Sequence, residues 1–415
     1  TEIYTLSLHD ALPIYMLKFK PSKVTLAMLS TGLMAMSAPA LAAQDSQAKE
    51  QEVEVITVTG IRGSLQRAQA IKMSTDNIVE VLSAEDIGKL PDTSVAESLA
   101  RLPGVSGERR NGRTSGLAVR GFNENYVGTT LNGRELLGMG DNRGVEFDLY
   151  PTEIINNIVV YKSSEAGLTT QGIGGTIDMQ TVSPLTAEST MTFNASYEQN
   201  GEDAGNPDFD NNGHRLSFNF VDKFADDTVG IALTVANQET PRQENQFRGW
   251  GYADSSQAPG AKILGGHDSY TRSALLERTS VAGIVEWAPT DRLKLQLDAL
   301  YIDFEENDVK RGLEEGGAEW GAPNHTAGTV ENGLVMNGEF DGFHSVIRND
   351  GLSQKAELTT LGLNVEYALS DDWTLEADFS SGDVEKDLLD VESYSGVGRA
   401  GVDGRPTIAR SWQQT

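Results

Sequence analysis

The chain has 415 residues, no cysteine and a formal charge of −28. That length allows two or more domains. The lack of thiols excludes a disulfide framework and a thiolate metal site, and the acidic balance excludes a surface built to coat nucleic acid.

Residues 1–15 do not fit the remainder of the chain and resemble translated sequencing-adapter text; they are set aside as non-native. From Met16 the pattern is coherent. Lys18, Lys20 and Lys23 form a basic region, Val24 to Met36 an apolar one, and Ala40-Leu41-Ala42 a small-x-small cleavage signal. Residues 16–42 therefore read as a signal peptide, because the apolar run is too short to cross a bilayer. Residues 43–63 form a polar leader that contains a β-prone stretch, Val53 to Thr59. A short extended segment near a free end can add itself to the edge of a partner's sheet; an ordinary first strand has the same composition.

Residues 64–185 carry α+β signals. Ser64 can cap a helix bearing Leu65, Ala68 and Ile71. Ile78 to Leu82 reads as a strand, and Ser83 with Asp86 opens a short helix. Val95, Leu99 and Leu102 mark another helix, stopped by Pro103-Gly104. Leu117 to Arg120 and Ile158 to Tyr161 read as strands, and Asn132-Gly133 is a type I′ hairpin signal.

After Pro184 the period changes to two. Rows of alternating apolar residues start near Met191, Leu216, Val229, Val281, Leu293, Leu361 and Trp373. These rows predict about seven two-faced strands over 186–415. The other face carries Lys294, Asp298, Glu366, Glu376 and Asp378, as a water-filled lumen would, and aromatics such as Trp287, Tyr367 and Trp373 sit at row ends. Links predicted at 222–227, 289–291 and 370–372 are short, whereas those at 200–213, 239–277 and 305–356 are long. Strict long–short alternation is the pattern of an up-and-down outer-membrane barrel rather than a sandwich.

Taken together, the residues resemble the TonB-dependent outer-membrane receptors. The matching segments are Val55-Ile56-Thr57-Val58-Thr59-Gly60, Val95-Ala96-Glu97-Ser98-Leu99, Leu102-Pro103-Gly104-Val105, Val119-Arg120-Gly121-Phe122, Leu131-Asn132-Gly133-Arg134, Phe147-Asp148-Leu149-Tyr150-Pro151 and Gly172 to Ile177. The stretches Gly63 to Ala68 and Ala84 to Asp92 are similar to the subgroup linked to oligosaccharide uptake. The resemblance implies an α+β plug domain followed by an antiparallel transmembrane β-barrel of 22 strands in the family. Seven strands are incomplete on that scale, so an N-terminal fragment is expected.

The resemblance further implies a receptor in the Gram-negative outer membrane, in contact with its lipid and energised through TonB. Its ligand is a bulky nutrient, an oligosaccharide or alternatively a ferric siderophore. Glu54, Val55, Ile56, Thr57, Val58 and Thr59 would form the TonB-binding strand. Arg120 and Arg134 would pair with barrel carboxylates. The plug apices at 106–115, 122–127 and 137–145 would offer Arg109, Arg110, Asn123, Asn125, Tyr126, Asp141, Asn142 and Arg143 to the ligand, with Trp250, Tyr252, Tyr270 and Trp320 added from external loops. A passive porin or adhesin barrel is the alternative of another class. No cofactor, metal site or nucleophile–base constellation is expected: Asp208 to Gly213 copies half a calcium loop but meets Asn219 where a bidentate Glu belongs.

Overall fold

The computed structural model describes residues 61–83, 95–110, 113–201, 203–316, 324–343, 345–396 and 408–413. The TonB-binding stretch 54–59 and Trp320 lie outside them.

The first helix, α1 (Ile61–Ser74), lays Ala68 and Ile71 against Val79, Val81, Val159 and Tyr161. Its last carbonyls are capped locally, with the Ser74 and Thr75 hydroxyls donating to Ile71 O. Strand β1 (Val79–Ser83) and helix α2 (Val95–Leu99) follow. Then come β2 (Val105–Arg110), β3 (Arg113–Val119), β4 (Val127–Leu131), β5 (Arg134–Glu135), β6 (Ile155–Tyr161) and β7 (Gly175–Thr181).

Five of these strands make one sheet in the order β1-β6-β7-β4-β5, with β4 and β7 parallel; β2 and β3 form a separate hairpin. Asn132 (φ 52°) and Gly133 (φ 78°) connect β4 to β5. Two consecutive positive φ values are the type I′ geometry that an Asn-Gly pair permits.

The second part is a wall of seven long antiparallel strands, each beside its sequence neighbour. They are β8 (Thr190–Gln199), β9 (Asn212–Phe224), β10 (Val229–Gly249), β11 (Gly266–Thr290), β12 (Leu293–Gly316), β13 (Ser345–Ala368) and β14 (Thr374–Val391). Every predicted row falls on one of them. The predicted long links at 239–277 and 305–356 are corrected, because 239–249, 266–277, 305–316 and 345–356 continue the strands. The apolar alternation stops there while the hydrogen-bond ladder does not. β12 alone has 24 residues, more than twice the ~10 needed to cross a bilayer at a tilt.

Periodicity explains why sequence reading stopped short. On β12, Leu297 and Tyr301 face outward and are exposed, whereas Leu300, Ile302 and Phe304 face inward and are buried. Beyond Tyr301 the outward positions become Asp303, Glu305 and Asn307. The neighbouring strands change at the same level, since Asp303 pairs in register with Thr279 and Glu357. Below that level Phe193, Leu233, Val285, Leu363 and Phe379 add to an exposed apolar band. Its length, Leu293 to Tyr301, suits the hydrocarbon core of a bilayer.

The two parts share one core. Val95, Leu99, Phe147, Leu149, Tyr150 and Ile177 of the α+β domain cluster with Leu276, Leu300, Ile302, Phe304, Ala356 and Leu358 of the wall. The α+β domain therefore sits on the inner face of the sheet.

Candidate functional site

Strand register sorts the wall's contacts into two levels. The lower level lies near the short turns. There Arg134, just past the β4–β5 turn, reaches two strands at once. Its Nη1 donates to Asp298 on β12 at 2.6 Å, while Nε and Nη2 donate to both oxygens of Asp378 on β14 at 2.8 and 2.7 Å. The hydrogen bond to Asp378 raises the Arg134 pKa, with Asp298 adding to it against partial burial. Such a forked, charge-assisted contact is both strong and directional. On the same level Glu286 of β11 holds the connection between the two parts. It accepts from Ser183 Oγ at 2.8 Å and from Leu185 N at 2.9 Å, and pairs with Lys294 at 2.8 Å.

The upper level is a single cross-strand row. Arg215, Gln238, Arg278, Phe304, Ala356 and Lys386 are successive register partners from β9 to β14. Its three cations all bond to residues 139–153. Lys386 donates to Met139 O at 3.0 Å and Arg278 to Asp148 O at 2.6 Å. Arg215 donates to Glu153 Oε1 at 2.6 Å and also to Thr152 Oγ1. Burial pushes the Glu153 pKa up, but the Arg215 charge and hydrogen bond outweigh it and hold the carboxyl below its ordinary 4.5. The two levels are eight residues apart along a strand, from Glu286 to Arg278 or from Asp378 to Lys386, roughly 26 Å.

Arg134 thus meets the wall carboxylates. Arg120 does not, and that expectation is corrected. With φ 53° it turns back, and its Nε and Nη2 donate to Gly174 O at 3.0 Å and Ile173 O at 3.3 Å within its own domain. It staples the loop before β7.

The apex residues divide into two groups. Asn123 accepts from Asn125 N at 3.2 Å and caps a single 3-10 turn, and Tyr126 is half exposed, edge-on to Phe122 at 6.2 Å. Asn142 joins two apices, because its Nδ2 donates to Glu124 Oε1 at 3.1 Å while its Oδ1 accepts from Gly144 N at 3.0 Å. Asp141 and Arg143 are exposed, with Arg143 3.8 Å from Glu135. Arg109 lies on the separate β2–β3 hairpin; the Arg110 side chain lies outside the described residues. Beneath the apex, Tyr150 donates to Leu137 O at 2.7 Å, and burial raises the Glu146 pKa, with Asp148 and Glu124 nearby adding to it.

Above Met139 the inner face of the wall carries an open cavity of about 240 Å³ lined by Arg272, Asp308, Lys310, Asp350, Asp390 and Glu392, among others. Arg272 pairs with Asp308 at 3.5 Å, Lys310 with Asp350 at 3.1 Å, and neighbouring Arg348 with Glu314, Asp350 and Glu392. Tyr270, expected on a loop, is instead buried in β11 and donates to Glu314 at 2.9 Å, with Lys310 over its ring. Sequence reading missed the cavity residues because it took these stretches for loops. Their period gave no signal, because charges stand on the outward positions too, as Glu305 and Arg311 do beside Glu306, Asp308 and Lys310.

The loops beyond the strands fold together. Tyr252–Asp254, Lys262–Leu264, Leu334–Val335 and Val330–Glu331 form one small sheet, while Asn324–Ala327, Asn337–Phe343 and Ile408–Gln413 form another. Ala261, Ile263, Val335 and Phe340 make a shared core, beside which Ser255 and His325 hydrogen-bond at 2.9 Å. Among the described residues no group of three or more His, Asp or Glu side chains gathers as metal ligands would; Asp208 of the half calcium loop pairs with Arg311 on β12.

Among protein families, residues 71–176 match the model described as the TonB-dependent receptor plug domain. No curated protein matches the chain. Among solved structures, it is similar to the siderophore receptor PirA from Acinetobacter baumannii, at 16% identity and TM-score 0.40 over 80% of this chain and 58% of that one. The outer membrane transporter YddB from Escherichia coli gives 12% identity and TM-score 0.36, over 76% and 53%. The alcaligin receptor FauA from Bordetella pertussis gives 14% and 0.32, over 79% and 59%. The chain spans less than two thirds of the length of each. The stretch that matches this plug-domain model, 71–176, is seated through its described residues on the inner face of a wall of seven long strands.

Proposed function

We propose that this chain belongs to an outer-membrane receptor that takes up a bulky nutrient by TonB-dependent transport. The supporting observation is the plug itself: it is bonded to the wall at two levels, while the wall's outer face carries an apolar band of bilayer height. A passive pore gains nothing from an obstruction bound at both levels. Ligand would bind over Asp141, Asn142 and Arg143 and within the cavity above them. TonB would capture residues 54–59 as an added strand and pull on α1. Outer-membrane lipid would cover the band.

For the ligand we favour a neutral, polyhydroxylated molecule such as an oligosaccharide. Among the described residues of the cavity, Arg272 and Lys310 each face a carboxylate, as does Arg348 beside them, so an anionic ferric chelate meets no free cation there. Paired charges and amides suit hydroxyl groups. Growth of a deletion strain on single glycans, compared with growth under iron limitation, tests the choice. An iron-starvation defect with normal glycan growth would overturn it in favour of a siderophore.

A further inference from the structure

Arg134 reaches Asp298 and Asp378 by passing over the strand that separates them. Asp298 is on β12 and Asp378 on β14, with β13 between. The β13 residue beneath the guanidinium is Gly362, the register partner of Asp298. A methyl group there would lie 1.7 Å from Arg134 Nη1, 2.3 Å from its Cζ and 2.7 Å from Asp298 Oδ2. A glycine inside a strand costs about 0.5–1 kcal/mol relative to alanine, and one commonly marks a close approach by another group. No positive φ requires glycine at this position; the space does. The end of an arginine can usually swing aside. Here it is held by three hydrogen bonds, and moving it breaks them.

We propose that Gly362 is the seat on which the plug locks to the wall through Arg134, so that the residue at 362 sets how firmly the plug is held. The locking role rests on the uptake function proposed above. Gly382 on β14 supports the seat independently, since a methyl group there would lie 2.8 Å from Leu137 Cδ1, also in the plug. Two wall glycines thus receive the segment that follows the β4–β5 turn. By contrast, a methyl group on Gly283 in β11 would meet nothing within 4 Å.

The absence of cysteine allows a clean test. Leu136→Cys places a thiol at a buried position in this segment, and its maleimide labelling in purified protein in detergent reports local release of the plug. Gly362→Ala should raise the labelling rate on the order of tenfold, and Arg134→Ala similarly, as expected for loss of a charge-assisted contact. The double variant should label no faster than either alone, and Gly283→Ala should match the parent. An unchanged rate in Gly362→Ala, or effects that multiply in the double variant, would overturn the seat. If Gly362→Ala does not fold, recovery of folded protein on adding Arg134→Ala supports it, and failure of both overturns it. A parent that labels as expected but shows no TonB-dependent uptake removes the transport reading and leaves the seat intact.

Discussion

Glu286 in the wall accepts the Ser183 hydroxyl at 2.8 Å, just after the plug ends. Its carboxylate is buried, and the same group receives Leu185 N and Lys294. The exit of the plug is therefore fixed to the wall, while residues 54–59 precede the plug in the sequence. On the proposed uptake function, a pull on residues 54–59 would act against an anchored point. Glu286→Ala removes the acceptor and leaves Lys294 without its partner. It should destabilise the protein by about 3 kcal/mol, against ~1 kcal/mol for Ser183→Ala. Denaturant titration in detergent compares them, and equal effects would sink the anchor.

Acid should loosen the upper level. Glu153 has a folded-state pKa below 4.5, so its contribution is complete above that value and is lost as pH falls through the lowered pKa. Glu80, pushed up by burial but held lower still by Lys72 and Lys162, acts in the same direction. Stability measured from about pH 6 to about pH 3 should fall less in Glu153→Gln than in the parent. Parallel curves would refute the assignment.

The handle at 54–59 is tested by backbone chemistry. Proline at Ile56 removes a ladder donor and fixes φ. Ile56→Pro should abolish uptake while ligand binding persists. Unchanged uptake would exclude strand addition at this segment.

Lipid contact is tested on the outer face. Leu363 lies within the apolar band. Leu363→Arg should cost roughly 2–4 kcal/mol of stability in the membrane. Asp303→Arg, placed above the band, should cost far less. Urea unfolding in lipid vesicles would show it, and equal losses would place the band elsewhere.

The loops beyond the long strands should behave as one unit. Ile263 is fully buried in their shared core. Ile263→Ala should cost about 2–5 kcal/mol locally and open both 252–264 and 324–343 to protease. Cleavage confined to the first segment would show that they fold separately.

The seven long strands were legible because one face is apolar and the other polar, which writes a period of two into the sequence. The hairpin at Asn132-Gly133 was legible because few residue pairs accept two positive φ values. Strand length was not, because above the band both faces are polar and the alternation disappears. Nor was the role of Arg120: the family resemblance of its Arg-Gly motif implied a wall contact, yet a positive φ turns it onto Gly174.

The sequence by itself determined which faces meet apolar surroundings, where the chain turns, and the order of plug before wall. These are local properties, set by side-chain period and backbone freedom. Only the tertiary structure decided which charges meet. Arg134 lies 244 residues from Asp378, and Arg278 lies 130 from Asp148. Those pairings depend on strand register and on where a plug face lands within the wall, and no local pattern encodes either. Gly362 shows the difference: in the sequence it is one glycine among 43, and in the fold it lies directly beneath the guanidinium that ties the plug to the wall.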